Sequence, residues 1–174
     1  MISINDSKTF ELKYVKSFGL LNLLPAGRGF KNPVDLMVGR DGYIFVLNRG
    51  ESKASRVGVM NFEEDYLYEF GLHGDDDGQF RMPTCLGIDS DQRVYVADEY
   101  NHRISIFEKS GEYLGKWGVF GNRNGEIDGP SGLVFDSNDN VYVVDQNNNR
   151  IQKFTSDGQY LLQWGEHGSE NGQF

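Results

Sequence analysis

The stretch FRMPTCLGIDSDQRVYVADEYNHRISIFEKSGEYLGKWG (residues 80–118) lies in register, without a gap, on IDGPSGLVFDSNDNVYVVDQNNNRIQKFTSDGQYLLQWG (residues 127–165), at an offset of 47. Adding 47 again reaches Phe174, and the terminal NGQF repeats the DGQF at 77–80. An earlier copy opens at Phe30 with a spacing of 50, its three extra residues falling between Asn48 and Arg56. A fixed period of this size marks a repeat architecture, in which units too small to bury their own apolar faces stack on one another.

The recurring columns have mechanical meanings. Pro33, Pro83 and Pro130 each follow the opening apolar residue by three, where a fixed φ suits the start of a strand. Tyr66, Tyr113 and Tyr160 precede Phe70, Trp117 and Trp164 by four, a spacing that puts both rings on one face of a regular strand. Gly71, Gly118 and Gly165 follow and end that strand. The second unit then reads as four strands, roughly Thr84–Ile88, Arg93–Ala97, Ile104–Phe107 and Tyr113–Trp117, divided by short polar turns. Inner runs such as Cys85–Ile88 and Gly132–Phe135 are nearly continuous in apolar residues, as in strands covered on both sides. Four antiparallel strands per 47 residues predict an all-β fold, a partial β-propeller of about three four-stranded blades. The expected units are 30–79, 80–126 and 127–173 within one 1–174 domain, with a further unit starting at 174. An extra outer strand is expected at 10–19, centred on Tyr14–Phe18.

Composition agrees. Glycine, at 22 of 174 residues, is about twice its usual share of roughly 7%, as many tight turns require. The net charge of −9 repels phosphate backbones and argues against a nucleic-acid partner. One cysteine, Cys85, supplies neither a disulfide nor a zinc cluster, and its place in an inner strand reads as a small buried hydrophobe. No apolar run reaches the roughly 20 residues that span a bilayer, so no membrane is expected and the chain is placed in the cytoplasm.

The segment ADEYNHRISIF (97–107), echoed as VDQNNNRIQKF (144–154), resembles the NHL repeat. Asp98, Asn101, Arg103 and Ile104 match the family's turn between second and third strands, as do Asp145, Asn148, Arg150 and Ile151. The first unit departs from it, with Asn48 for the aspartate and the insertion before Arg56. The resemblance covers about residues 30–165. It implies a ring of about six blades, roughly twice this chain. A sequence continuing past Phe174 is therefore expected, in preference to two copies closing one ring, which would leave surplus outer strands. An open arc exposes blade faces, so self-association through them is a further expectation.

The candidate chemistry favours a scaffold. Asp98 with Arg103, and Asp145 with Arg150, recur at one place in successive units and are read as structural turn pairs, each arginine offering planar donors to a carboxylate and to loop carbonyls. His73, His102 and His167 invite a zinc reading, but loops two blades apart hold His73 and His167 well separated, so no metal or cofactor is expected. Asp75, Asp76 and Asp77 lack the spacing of a calcium loop. No residue is assigned a catalytic role. The NHL-like peptide-amidating lyase carries a histidine after the strand-opening proline; Val34, Thr84 and Ser131 stand there, so a metal-dependent lyase would need ligands in further blades. Some NHL propellers bind single-stranded RNA, yet on this rim Glu51, Glu99, Glu126 and the Asp75–Asp77 loop outweigh Arg49, Lys53 and Arg123. The expected function is a non-catalytic binding module. Its rim, formed by the loops between strands two and three and between blades, takes a protein, peptide or small-molecule ligand through Arg49, Tyr100, Asn101, His102 and Gln146.

Overall fold

The computed structural model describes residues 29–51 and 54–174. Within them the chain forms three four-stranded antiparallel sheets, taken up in sequence order. The first holds β1 (Pro33–Val38), β2 (Ile44–Asn48), β3 (Arg56–Met60) and β4 (Tyr66–Phe70). Two short parallel strands, β5 (Leu72–His73) and β6 (Gln79–Phe80), lie in the connection to the second sheet. That sheet holds β7 (Pro83–Ile88), β8 (Val94–Asp98), β9 (Arg103–Phe107) and β10 (Tyr113–Trp117). The third holds β11 (Pro130–Phe135), β12 (Val141–Asp145), β13 (Arg150–Phe154) and β14 (Tyr160–Trp164). The expected all-β partial propeller of three blades is what the chain forms. The outer strand expected at 10–19 lies outside the described residues.

Each sheet buries one face in the next. Phe45, Leu47, Val57, Val59 and Phe70 of the first pack on Phe80, Leu86, Val94, Val96 and Phe107 of the second unit. Cys85, Tyr95, Ala97 and Ile104 on the second sheet's other face meet Leu133 and Phe135 of the third. Trp117 reaches across to Phe154, ring centroids 4.9 Å apart. The middle sheet is thus covered on both sides, and every residue of β8 is buried. In the third sheet only one face is covered, and Val134 on the other stands 61% exposed. The same valine-rich strand is continuous in burial or alternating according to whether a neighbour is present.

Polar bonds fix the innermost strands. The Asp35 carboxylate accepts the Leu86 N–H at 2.7 Å, and Thr84 Oγ1 donates to the Pro130 carbonyl at 2.7 Å. The sheets approach closely enough that a Cβ on Gly87 would lie 2.0 Å from Leu133 Cδ2, so any larger residue there has to push the Leu133 side chain aside. Each opening proline is followed by a register shift, between Pro33 and Asp35, Pro83 and Cys85, and Pro130 and Gly132. The missing proline N–H and the bulge come together where a ladder bond is lost anyway.

A second set of bulges corrects one expectation. Tyr66, Tyr113 and Tyr160 do not share a sheet face with Phe70, Trp117 and Trp164. The register shifts between Tyr113 and Gly115, with equivalent shifts in the other two sheets. One extra residue reverses the alternation. Tyr113 therefore packs edge-on to Phe107, while Trp117 faces the third sheet.

The aromatic at the end of the fourth strand sits over the hairpin of the next sheet. A Cβ on Gly111 would meet Phe70 Cβ at 2.8 Å, and one on Gly158 would meet Trp117 Cγ at 2.4 Å. Both glycines have positive φ, and the equivalent residue of the first unit is Glu64, at φ 75°. Replacing Phe107, 1% exposed among Phe70, Phe80 and Tyr113, by alanine is expected to cost about 3–5 kcal/mol, measured as the shift in a urea unfolding curve.

Candidate functional site

The rim is built on a hydrogen-bonded frame that repeats with the units. A side chain at the end of the second strand pins the segment that precedes the first. Asn48 accepts the Lys31 N–H, Asp98 the N–H groups of Arg81 and Met82, and Asp145 that of Asp128. The arginine opening the third strand then gathers the carbonyls of the loop between blades. Arg103 donates to those of Asp75, Asp76 and Gln79, and Arg150 to those of Asn122, Arg123 and Glu126. Both arginines are buried. A planar fork suits this because it satisfies several carbonyls at once from one fixed plane.

The two turn pairs differ in detail. Arg150 Nε donates to Asp145 at 2.6 Å, closing an ion pair. Arg103 reaches the loop carbonyls only, and its Nε has no hydrogen-bond partner among the described residues. The Asp98 carboxylate is occupied by four N–H donors, two of them from Asn101. At the opposed position of the fourth strand Arg150 finds Gln163, whereas the second unit has Lys116, which cannot accept and turns to Asp77 instead.

The five rim residues expected to bind ligand do not form one site. Arg49 and Tyr100 do come together, in a cleft of about 650 Å³ between the first and second units, completed by Gly50, Glu51, His73, Arg81 and Met82. Asn101 is taken into the frame, its amide donating to the Gly74 carbonyl and to Asp98. His102 faces the next unit: its Nδ1 accepts the Gly129 N–H at 3.3 Å, and its ring lies 4.6 Å from that of Phe120. Gln146 lines a separate hollow of about 330 Å³ with Val144, Asn149, Arg150, Ile151 and Phe174.

Arg81, His73 and Met82 are cleft residues that the sequence reading missed. The signal was there: Arg81 occupies the same column as Asp128, so its charge breaks the repeat. Its guanidinium lies 4.7 Å over the Tyr100 ring and bonds Asp75 at 2.6 Å. Tyr100 is 55% exposed, and the buried His73 Nδ1 has no hydrogen-bond partner among the described residues. Among the described residues no three histidine, cysteine, aspartate or glutamate side chains gather as a metal site. Burial pushes the Cys85 thiol up to about 12, which leaves almost no thiolate to react at neutral pH.

Four-stranded antiparallel sheets stacked face to face around inner strands are blades of the β-propeller class. The NHL repeat family model matches residues 80–107 and 128–154, in the second and third units. The chain is similar to human NHL repeat-containing protein 3, at 32% identity over 80 residues, which is 46% of this chain and 23% of that protein. The mouse protein of the same name is 30% identical over 80 residues. The chain thus matches only about a quarter of the length of these curated relatives. Among solved structures it is similar to a streptogramin B lyase, with TM-score 0.61 and 19% identity, covering 87% of this chain and 44% of that one. A hydrazine synthase of Kuenenia stuttgartiensis, with TM-score 0.58 and 15% identity, covers 89% of this chain and 40% of that one. At such identities the likeness is one of fold, and folds of this kind host unrelated chemistries. No helix among the described residues is long and apolar enough to cross a membrane.

Two outcomes are expected here. Arg150→Lys is expected to lower unfolding stability by about 1.5–3 kcal/mol, read from urea denaturation, because a lysine cannot bridge the same carbonyls and carboxylate. Cys85 is expected to react with a thiol reagent at the rate of unfolding and not in the native state, followed by absorbance with and without denaturant.

Proposed function

We propose that this chain is a non-catalytic binding module of NHL type whose rim cleft between the first two units takes a protein, peptide or small-molecule ligand. The functional scaffold is the run of units 30–79, 80–126 and 127–173. The observation that carries the reading is the exposed Tyr100 held under Arg81, with Arg49 lining the same cleft of about 650 Å³. Aromatic and arginine side chains anchored on a rigid frame are the residue types that dominate binding energy elsewhere. The frame below is held by Arg103 on three loop carbonyls, bonds that do not involve the side chains of Arg49, Arg81 or Tyr100. The turn pairs Asp98 with Arg103 and Asp145 with Arg150 are read as that frame, and His102 as part of the junction with the third unit. A cytoplasmic setting suits a chain whose one thiol is buried and unpaired.

The test is a nuclear magnetic resonance screen of the purified chain against a mixed library of small molecules and short peptides. Hits are expected to shift the amide signals of Gly50, Glu51, Met82 and Tyr100, and Tyr100→Ala is expected to weaken them about ten-fold or more while leaving thermal unfolding nearly unchanged. Shifts confined to other surfaces, or a large stability loss in Tyr100→Ala, count against the reading. Tightly held metal in the purified protein would favour a lyase instead, and an affinity for RNA that falls steeply with salt would favour nucleic-acid binding.

A further inference from the structure

The repeat supplies an internal control for the cleft, because the same construction exists twice: once between the first and second units and once between the second and third. Position by position, Arg49 becomes Glu99, His73 becomes Phe120, Arg81 becomes Asp128 and Tyr100 becomes Asn147. The second junction closes on itself. Asn147 bonds Asp128 at 3.1 Å, His102 Nδ1 takes the Gly129 N–H and lies 3.4 Å from Asp128, and Phe120 stacks on the His102 ring. The first junction joins the Arg81 and Tyr100 columns differently, with the guanidinium over the ring and bonded to Asp75. It stays open at about 650 Å³ and carries arginine at both columns where the second carries a carboxylate. The insertion that lengthens the first unit falls in the loop that supplies Gly50 and Glu51 to the same cleft.

Resting on the reading above, we infer that the cleft takes the carboxylate side chains of an acidic peptide segment. Arg81 presents five N–H donors, of which the Asp75 bond uses one. The contact with the Tyr100 ring and the bond to Asp75 hold the fork in place, and such a fork pairs with a planar carboxylate. Arg49 supplies a second cation to the lining of the same cleft, which His73 also lines. Glu51 and Asp75 stand at the same opening, so the occupant has to place its oxygens between the two arginines and away from these carboxylates. Met82 and the Tyr100 ring offer apolar contact to the stem of such a side chain. The chain's overall charge of −9 slows the encounter of any anion without preventing a contact this close, since salt screens charges beyond about 8–10 Å.

The experiment is fluorescence anisotropy with a fluorescein-labelled tetraglutamate peptide, run beside the phosphoserine analogue, a tetraglutamine peptide and a ten-nucleotide oligouridine. The tetraglutamate peptide is expected to bind and the tetraglutamine peptide to bind at least about ten-fold more weakly. Arg49→Glu and Arg81→Asp, which give the first cleft the residues of the second, are each expected to weaken the tetraglutamate peptide about ten-fold or more, with circular dichroism and melting unchanged. Arg123→Glu makes the same change of net charge elsewhere on the rim and is expected to leave the affinity within about two-fold, as a distant exposed charge is screened. Stronger binding of the phosphoserine analogue, with the same sensitivity to Arg49→Glu and Arg81→Asp, would support the oxyanion pocket with phosphate as its source. The inference is overturned if neither anionic peptide binds, if Arg123→Glu weakens binding as much as the cleft variants, or if oligouridine alone binds. Should library ligands without charge still map to the cleft, the binding-module reading survives and only the acidic-peptide class is lost.

Discussion

A four-stranded sheet of five-residue strands has two apolar faces and too little material to hide either of them. That constraint governs the rest of the molecule. The second sheet meets it fully, since one face lies on the first sheet and the other on the third, and no residue of β8 reaches solvent. Removing water from such surfaces contributes about 25 cal/mol per Å² of apolar area, which is why these short strands are stable as a stack and not singly. Close approach follows from the same need. Gly87 lets the second sheet come within touching distance of Leu133, while Asp35 and Thr84 satisfy backbone groups where the inner strands are crowded.

Stacked sheets leave long connections over their ends, and loop carbonyls there need donors. The aspartate and arginine of each turn meet that requirement in one construction. The carboxylate holds the start of its own unit, and the guanidinium holds the loop that arrives from the preceding one. Because the hydrogen bonds of the frame do not use the side chains at columns 49, 81 and 100, those columns can differ from their counterparts. Two junctions of identical build can then carry opposite charges.

Much of this was legible in the sequence. The 47-residue offset gave the number of sheets, their strand count and nearly their boundaries, since proline, glycine and turn residues mark each strand end. The parity of the fourth strand was not legible, because a bulge leaves no residue of its own that differs from an ordinary outer-strand position. Tyr113 and Trp117 look like partners on one face and are not. The rim was half legible. Arg49 and Tyr100 were found as loop residues free of the repeat pattern, but their meeting with Arg81 depends on how adjacent units stack. Asn101 and His102 sit beside Tyr100 in sequence and were grouped with it. His102, at φ 49° in the turn between β8 and β9, instead directs its ring toward the third unit.

Glu64 has a bearing on the outer face of the first sheet, which no other described sheet covers. At Gly111 and Gly158 a bare α-carbon forms the socket in which the ring of the preceding sheet rests. Where Glu64 stands, a β-carbon fills that socket, in a backbone conformation that side chains seldom adopt. The face formed by Leu36, Val38, Ile44, Val46 and Met60 is therefore not interchangeable with its two counterparts. A ring brought to that corner meets a β-carbon, where its counterparts at Gly111 and Gly158 meet none.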